Sequence, residues 1–375
     1  MKQQTQTNKI EWKEFELGEL GEIVTGNTPP RNNAKNYGDK TPWIKPPNLD
    51  KEKYVADSDE YLSESGAKIA RLLPPGSVLV SCIGNLGKIG IAGRELCTNQ
   101  QINSIVPKKE ISSEYLYYAI KKFQKRLEQL ASSAVVPLLN KSAFSRIKIP
   151  LPFFNNKPDL KEQERIVSIL EKAEKQKERG KKAEALLDEY LKSVFNEMFY
   201  NKGFDTKKGK ELFELTYGKG LPEKERDDGK YAVFGSNGVV GRHSKFLVEG
   251  PGIIIGRKGS IGEVNYSKEN FWAIDTTYYI TLLQKMNLIY LYYLLKSHNL
   301  KLNNSTAIPG LNRNDVYRIS FIDVPLPLQQ KFAKIVEQTE KMKENVRKTK
   351  QNSEELFNSL MQKAFKGELQ NENKK

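Results

Sequence analysis

The stretch VPLPLQQKFAKIVEQTEKM, Val324 to Met342, announces a long helix. Past its opening Pro-Leu-Pro, apolar residues recur at Phe332, Ile335, Val336 and Met342, the three-and-four spacing of one helical face. Proline is tolerated at a helix start but not inside one. The Pro pair therefore stops the preceding strand and sets the angle at which the chain enters the helix. A cousin, IPLPFFNNKPDLKEQERIVSILEKAEK, begins at Ile149. One chain starts the same helix twice.

The echo extends upstream. CIGNLGKIG (Cys82 to Gly90) answers IIGRKGSIG (Ile254 to Gly262), both reading Gly-x-x-Gly-x-Ile-Gly after an apolar run. SSEYLYYAIKK (Ser112 to Lys122) answers NLIYLYYLLKS (Asn287 to Ser297), and VVPLLNKSAF (Val135 to Phe144) answers AIPGLNRNDV (Ala307 to Val316). Four matches in one order, each displaced by about 170 residues, define two copies of one unit. GSVLVSCIG and GPGIIIG read as buried strands bounded by glycine. The Tyr-rich segments read as amphipathic helices whose aromatic stripe faces a core. The expected class is α/β (α+β): a pseudo-twofold repeat of two globular domains joined by two long antiparallel coiled-coil helices. The expected boundaries are a first domain over 1–148, a helical spacer over 149–201, a second domain over 202–322, and a second spacer with tail over 323–375.

The first arm, from Leu160 to about Tyr200, contains no proline and one glycine, Gly180. Its apolar seam runs Ile166, Ile169, Leu170, Ala173, then Leu187, Tyr190, Leu191, Val194 and Met198, with a polar middle. At 1.5 Å per residue, forty helical residues span roughly 60 Å. A rod that thin cannot bury itself, so each arm needs a partner. The other arm is the obvious one, and connectivity makes the pair antiparallel, with a globular unit expected at each end.

Composition narrows the class. Lys and Arg total 61 against 46 acids, for a net charge of +15, a field suited to a polyanion. Two cysteines, Cys82 and Cys97, exclude a disulfide framework and a Cys-rich zinc site and suit a reducing cytoplasm. Two histidines are too few for a typical His-based metal centre. No apolar run approaches the ~20 residues of a membrane span, and the N-terminal MKQQTQTNKIEWKEF has no apolar core of a secretory signal.

These residues carry a resemblance. Pro150-Leu151-Pro152 with KEQERIVSIL, Pro325-Leu326-Pro327 with LQQKFAKIV, the start WKEFELGELGEIVTGNTPPRNN, and TPWIKPPNLD, YAVFGSNGVVG and GRKGSIG together resemble the specificity (S) subunit of type I restriction-modification systems. The likeness runs from roughly Glu11 to Leu369. It implies two target recognition domains spaced by paired helices and a chain that binds double-stranded DNA. It also implies docking of two methyltransferase (M) subunits and, through them, restriction (R) subunits. S-adenosylmethionine, ATP and Mg2+ would belong to those partners, leaving this chain without cofactors.

Base readout favours Arg, Lys, Asn and Gln, and phosphates are held by cations, small polar groups and backbone amides. The candidate DNA contacts in the first head are Asn27, Thr28, Arg31, Asn32, Asn33, Asn85, Lys88, Asn99 and Gln100. In the second they are Lys219, Ser236, Asn237, Arg242, Arg257, Lys258, Ser260 and Thr276. Each could equally be a solvated turn residue. Asn140 and Asn312 read as helix caps or phosphate contacts. The loops TGNTPPRNNAKNYGDKTPWIKPPNLD and YGKGLPEKERDDGKYAVFGSNGVVGRHSKF share almost nothing, so the two half-sites should differ and the target be asymmetric and bipartite. Tyr190, Phe195 and Phe199 of the first arm, with Phe357 and Phe365 of the second, look surplus to the seam. They suit either helix-end packing or docking of M.

No catalytic constellation appears. NTPPR, IKPPN and LLPPG are not the Asn/Asp-Pro-Pro-aromatic motif of adenine methylation, and GNLGKIG lacks the spacing and hydroxyl of a P-loop. No Glu-x-Lys follows Pro158-Asp159 at nuclease spacing. The expected function is that of a non-catalytic recognition subunit in the cytoplasm. The alternative is a stand-alone coiled-coil DNA-binding protein without enzymatic partners. Apolar side chains exposed on the arms would favour the first.

Overall fold

The computed structural model describes residues 10–84, 86–131, 138–298, 300 and 310–369, with backbone alone over 125–131. In chain order the first elements are β1 (Glu11–Glu16), α1 (Leu17–Leu20), β2 (Gly21–Thr25), β3 (Tyr37–Gly38), β4 (Thr41–Ile44), β5 (Tyr54–Val55), β6 (Tyr61–Leu62) and α2 (Glu64–Ala70). Then come β7 (Val78–Ser81), β8 (Ile89–Ala92), β9 (Cys97–Thr98), β10 (Ile102–Pro107), α3 (Ser113–Ala131), α4 (Lys141–Ser145), β11 (Lys148–Phe154), β12 (Lys157–Pro158) and α5 (Leu160–Phe199). The second round is β13 (Thr206–Lys208), α6 (Gly209–Leu212), β14 (Phe213–Tyr217), β15 (Tyr231–Gly235), β16 (Gly238–His243), β17 (Gly252–Gly256), β18 (Val264–Ser267) and β19 (Phe271–Ala273). It closes with β20 (Thr277–Leu282), α7 (Leu288–Ser297), α8 (Arg313–Arg318), β21 (Ser320–Ile322) and α9 (Leu326–Ala364).

The chain forms two compact units. One holds residues up to Gly180 together with those from Thr349 on, and the other holds Lys181–Lys348. In the first, a five-stranded sheet has the order β2-β10-β7-β8-β5, and a small sheet β3-β6-β4-β9 carries the loops between β2 and β7. In the second, the main sheet is β14-β20-β17-β18 and the small one β16-β15-β19. β7 and β17 are buried at every position, as continuous apolar runs covered on both faces must be. α3 lies on the first main sheet through Tyr115, Leu116 and Tyr118, and α7 joins the core of the second through Tyr290, Leu291 and Leu294. The aromatic stripes are core.

Both long helices contribute to each unit. In the first, Ile166, Leu170 and Ala173 of α5 share a core with Phe357, Met361 and Ala364 of α9. In the second, Leu191, Phe195 and Phe199 of α5 meet Phe332 and Val336 of α9. As the α5 number rises, its α9 partner falls. Lys177 pairs with Glu354 at 2.7 Å in the first unit, and in the second Glu184 pairs with Arg347 at 2.6 Å and Asp188 with Lys343 at 2.7 Å. The pairing is antiparallel, and the polar middle of the seam is filled by ion pairs. Gly180 belongs to this stretch: a Cβ there would stand 3.3 Å from the Lys350 side chain.

The two Pro-Leu-Pro junctions are built differently. Pro325 precedes α9 and Pro327 lies in its first turn. Pro150 and Pro152 instead sit inside β11, paired with β1, and α5 starts later, at Leu160. The carbonyl of Pro150 accepts from Tyr115 Oη and that of Pro152 from the Asp159 amide. Both residues thus turn their polar backbone away from β1, and the ladder loses no donor.

The glycine motif also shifts. The Gly87 amide donates to Ser81 O at 3.0 Å, and the Gly262 amide makes the same bond to Gly256 O at 2.8 Å. Gly84 and Gly87, with φ of 75° and 83°, therefore match Gly259 and Gly262, with φ of 74° and 73°. The match by letters, Gly84 to Gly256, is out by one Gly-x-x step.

Candidate nucleic-acid interface

Each unit builds a corner where its small sheet leaves the main one, and both corners use the same backbone bonds. In the first, the Gly26 amide donates to Ile102 O at 3.1 Å and the Asn27 amide to Thr98 O at 3.0 Å. In the second, Gly218 donates to Thr277 O at 3.1 Å and Lys219 to Ala273 O at 2.9 Å. A Cβ on Gly26 would come within 2.2 Å of Asn99 O, and one on Gly218 within 2.2 Å of Ile274 O, so both positions require glycine. A tryptophan clamps each loop: Trp43 Nε1 donates to Asn27 O at 3.3 Å, and Trp272 Nε1 to Lys219 O at 2.8 Å. Asn27 and Lys219 hold equivalent places with different chemistry.

Around the first corner the Asn27 side chain bridges the Thr28 amide and Ile69 O, and the Thr28 hydroxyl donates to Gln100 Oε1. The Arg31 guanidinium lies 5.8 Å from the buried Trp43 ring, and Lys45 Nζ lies 4.6 Å from it. Both cations pair with Glu60. Asn33 caps a short helical turn through the Lys35 amide, and Asn32 is exposed beside it. Lys88 is half-buried in the turn between β7 and β8, where its amide donates to Ser81 Oγ, away from the contacts that define the corner. Asn85 lies outside the described residues.

Around the second corner Thr276 O accepts from the amides of Arg257 and Lys258 and from Ser236 Oγ. Arg257 donates through Nη2 to Asp275 O at 2.8 Å, and its guanidinium lies 5.2 Å from the Tyr217 ring. Arg313 stands 5.8 Å from the same ring. Burial pushes the Tyr278 hydroxyl up to about 12, with Tyr217 adding to the shift and Arg257 and Arg313 opposing it. The structure thus gathers Lys219, Ser236, Arg257, Lys258 and Thr276. Asn237 is exposed at the β15–β16 turn, and Ser260 lies half-buried in the β17–β18 turn.

Several candidates take other roles. Asn99 is 6% exposed and its amide is spent on Gln101, so it shapes the loop rather than presenting an edge. Ser236, 9% exposed, does the same for Thr276. Arg242 is bound to the carbonyls of Gly229 and Lys230. Asn140 and Asn312 are N-caps, accepting from the amides of Ala143 and Asn314. Phe195, Phe199, Phe357 and Phe365 are buried in the cores of their units, so these four rings are packing residues and not docking residues. Burying a ring in the nearest core is worth more than exposing it. Tyr190, 49% exposed, remains available.

Sequence reasoning passed over Trp43, Trp272, Tyr217 and Arg313. The signal for Arg313 was present, since it follows Asn312 in the repeated Leu-Asn pair. Trp43 and Trp272 lie on strands other than those that carry the loops they clamp and leave no such trace.

Comparison with known proteins fits this doubled architecture. The model of the type I restriction modification DNA specificity domain matches residues 9–187 and again 201–355. The chain belongs to that family and carries its domain twice. It is 35% identical over 190 residues to the type I restriction enzyme HindI specificity subunit of Haemophilus influenzae, covering 49% of this chain and 41% of that one. It is 26% identical over 250 residues to the MjaIX specificity subunit of Methanocaldococcus jannaschii, covering 59% and 56%. These matches span about half the length of either relative. Among solved structures, the S subunit of a type I restriction-modification system from M. genitalium superposes with a TM-score of 0.58 at 18% identity, over 96% of this chain and 98% of that one. A chain from work on complex assembly and conformational transition of the type I R-M system gives 0.66 at 15% identity, with the same coverage.

Proposed function

We propose that this chain is the sequence-recognition subunit of a type I restriction-modification complex. Each unit reads one half of an asymmetric bipartite DNA target, and the helices dock two methyltransferase subunits and, through them, restriction subunits. The chain performs no catalysis; S-adenosylmethionine, ATP and Mg2+ serve its partners in the cytoplasm. The observation that carries this reading is the pair of corners, identical in backbone bonding yet presenting Asn27 in one and Lys219 in the other. A duplicated scaffold with divergent side chains suits a reader of two different half-sites.

Exposed apolar side chains on the helices favour partners over a stand-alone protein. Leu186, Tyr190 and Met342 in the second unit and Leu356 in the first are each about half or more exposed. The test is to coexpress the chain with M and map methylated adenines genome-wide. Exchanging the Asn27–Asp50 loop for that of another specificity subunit should change one half of the target and leave the other intact. Methyl transfer from S-adenosylmethionine by the purified chain alone would overturn the reading.

A further inference from the structure

The two units differ at one sheet edge. In the first, β5 lies parallel to β8, with Tyr54 opposite Ile91 and Val55 opposite Ala92. The Ile91 amide donates to Lys53 O at 2.8 Å and the Gly93 amide to Val55 O at 2.9 Å. Lys53 Nζ reaches Glu171 of α5 at 2.5 Å and lies 4.8 Å from the Tyr118 ring centre. The Tyr54 hydroxyl donates to Glu114 at 2.8 Å. Under this cover Tyr117 and Tyr118 are buried.

The second unit has the same bed without the cover. Ile253 pairs with Tyr266 as Val78 pairs with Ile91, so Tyr266 takes the place of Ile91. Tyr292 and Tyr293 stand where Tyr117 and Tyr118 do, and Lys296 reaches Tyr292 Oη as Lys121 reaches Tyr117 Oη. Counting from Gln163 and Gln329, which make matching bonds at the two helix starts, Glu337 takes the place of Glu171. β18, however, is the last strand of its sheet. Among the described residues nothing corresponds to β5. A groove of about 1200 Å³ is left, lined by Tyr266, Lys268, Tyr292, Tyr293, Lys296 and Glu337. Glu337 is exposed, and no ion pair or hydrogen bond reaches it among the described residues.

We propose that this groove takes an extended segment of a partner polypeptide, added parallel to β18, with a Lys or Arg lying over Tyr293 and paired with Glu337, followed by an aromatic residue. An open edge supplies backbone donors and acceptors for strand addition, and side-chain pockets supply the specificity. The cation finds a ring face and a carboxylate together, the arrangement Lys53 uses in the first unit. Carboxylate and ring chemistry lining the groove select a cationic-aromatic segment of a partner chain, and this chain's own Lys53-Tyr54-Val55 is already paired with β8. The proposal requires no DNA and stands apart from the recognition reading.

The probe is a labelled synthetic peptide with the sequence of residues 49–57, LDKEKYVAD, titrated into the full chain without DNA. Saturable binding is expected. It should weaken about tenfold with Glu337→Lys, and the same peptide carrying Glu in place of its central Lys should regain affinity for that variant. Glu337 is exposed, so the variant folds. Absence of saturable binding up to millimolar peptide, or binding indifferent to Glu337→Lys, overturns the proposal.

Discussion

Gln329 does in the second unit what Gln163 does in the first. Gln163 Oε1 accepts from the Ser112 amide at 2.9 Å and its Nε2 donates to Glu110 O at 3.2 Å. Gln329 Oε1 accepts from the Asn287 amide at 2.8 Å and its Nε2 donates to Val324 O at 2.7 Å. Both side chains are buried, and each ties the first turn of a long helix to the start of an aromatic helix. Gln163→Ala or Gln329→Ala removes both bonds of a buried side chain, so each should cost about 1–3 kcal/mol of stability. Urea unfolding of the two variants checks this; a change below about 0.5 kcal/mol would deny the tie its role.

Phe195 contacts the rings of Phe199, Tyr290, Tyr293 and Phe332 at centroid distances of 5.0–6.4 Å. Phe195→Ala should lose about 3–5 kcal/mol through the cavity it leaves. Tyr190→Ala, at an exposed site, should leave the melting temperature nearly unchanged while weakening assembly with M. Calorimetry and co-purification distinguish the two; equal effects on both readouts would contradict the division.

Burial pushes the Cys82 thiol up to about 11 and the Cys97 thiol up to about 12. Almost no thiolate exists in the folded chain at neutral pH, and neither sulfur is open to solvent. An Ellman-type reagent should therefore label the native chain negligibly and both cysteines after denaturation. Rapid native labelling of Cys97 would show the first small sheet opening.

Burial raises the Glu174 carboxyl, but Lys121 and the Tyr118 hydroxyl outweigh it and leave it below the ordinary 4.5. A carboxyl depressed in the folded state stabilises above its unfolded value and loses that contribution as pH falls through the folded one. Glu174→Gln should thus be less stable at neutral pH, and the gap to the parent should close as the pH drops below about 4.5. Denaturant titrations at stepwise lower pH measure the gap, and one independent of pH would exclude an ionised Glu174 as its source.

Lys219 and Lys258 are exposed at the second corner, whereas Arg257 is tied to Asp275 and stacked on Tyr217. Within the assembled complex, Lys258→Ala should weaken binding to all DNA sequences alike and reduce the salt slope by about 1. Arg257→Ala should instead disturb the corner and act on one half-site. Anisotropy titrations over a salt series, with each half-site altered in turn, separate the two outcomes.

Much of the fold was legible in the residues because helical periodicity is local. The arms read as Leu160 to about Tyr200 and from Val324 on appear as Leu160–Phe199 and Leu326–Ala364, and the repeated Leu-Asn pairs appear as caps. The site was legible only as two loops. Whether an Asn in such a loop faces solvent or spends its amide on a neighbour, as Asn99 does on Gln101, depends on residues brought from other strands.

The amino-acid order by itself determined that this protein is a duplication with two long helices and two unlike loops, because repeats and period are written along the chain. Tertiary structure decided the rest. A Gly-x-x-Gly-x-x-Gly string still superposes two of its three glycines when slid by one step, and only the bonds of Gly87 to Ser81 and Gly262 to Gly256 choose the register. Four phenylalanines that read as surplus on a single helix found cores once a second helix and a sheet lay against them. The strand that covers Tyr117 and Tyr118 has no counterpart over Tyr292 and Tyr293 among the described residues. That difference emerges only when both sheets are built and their edges compared.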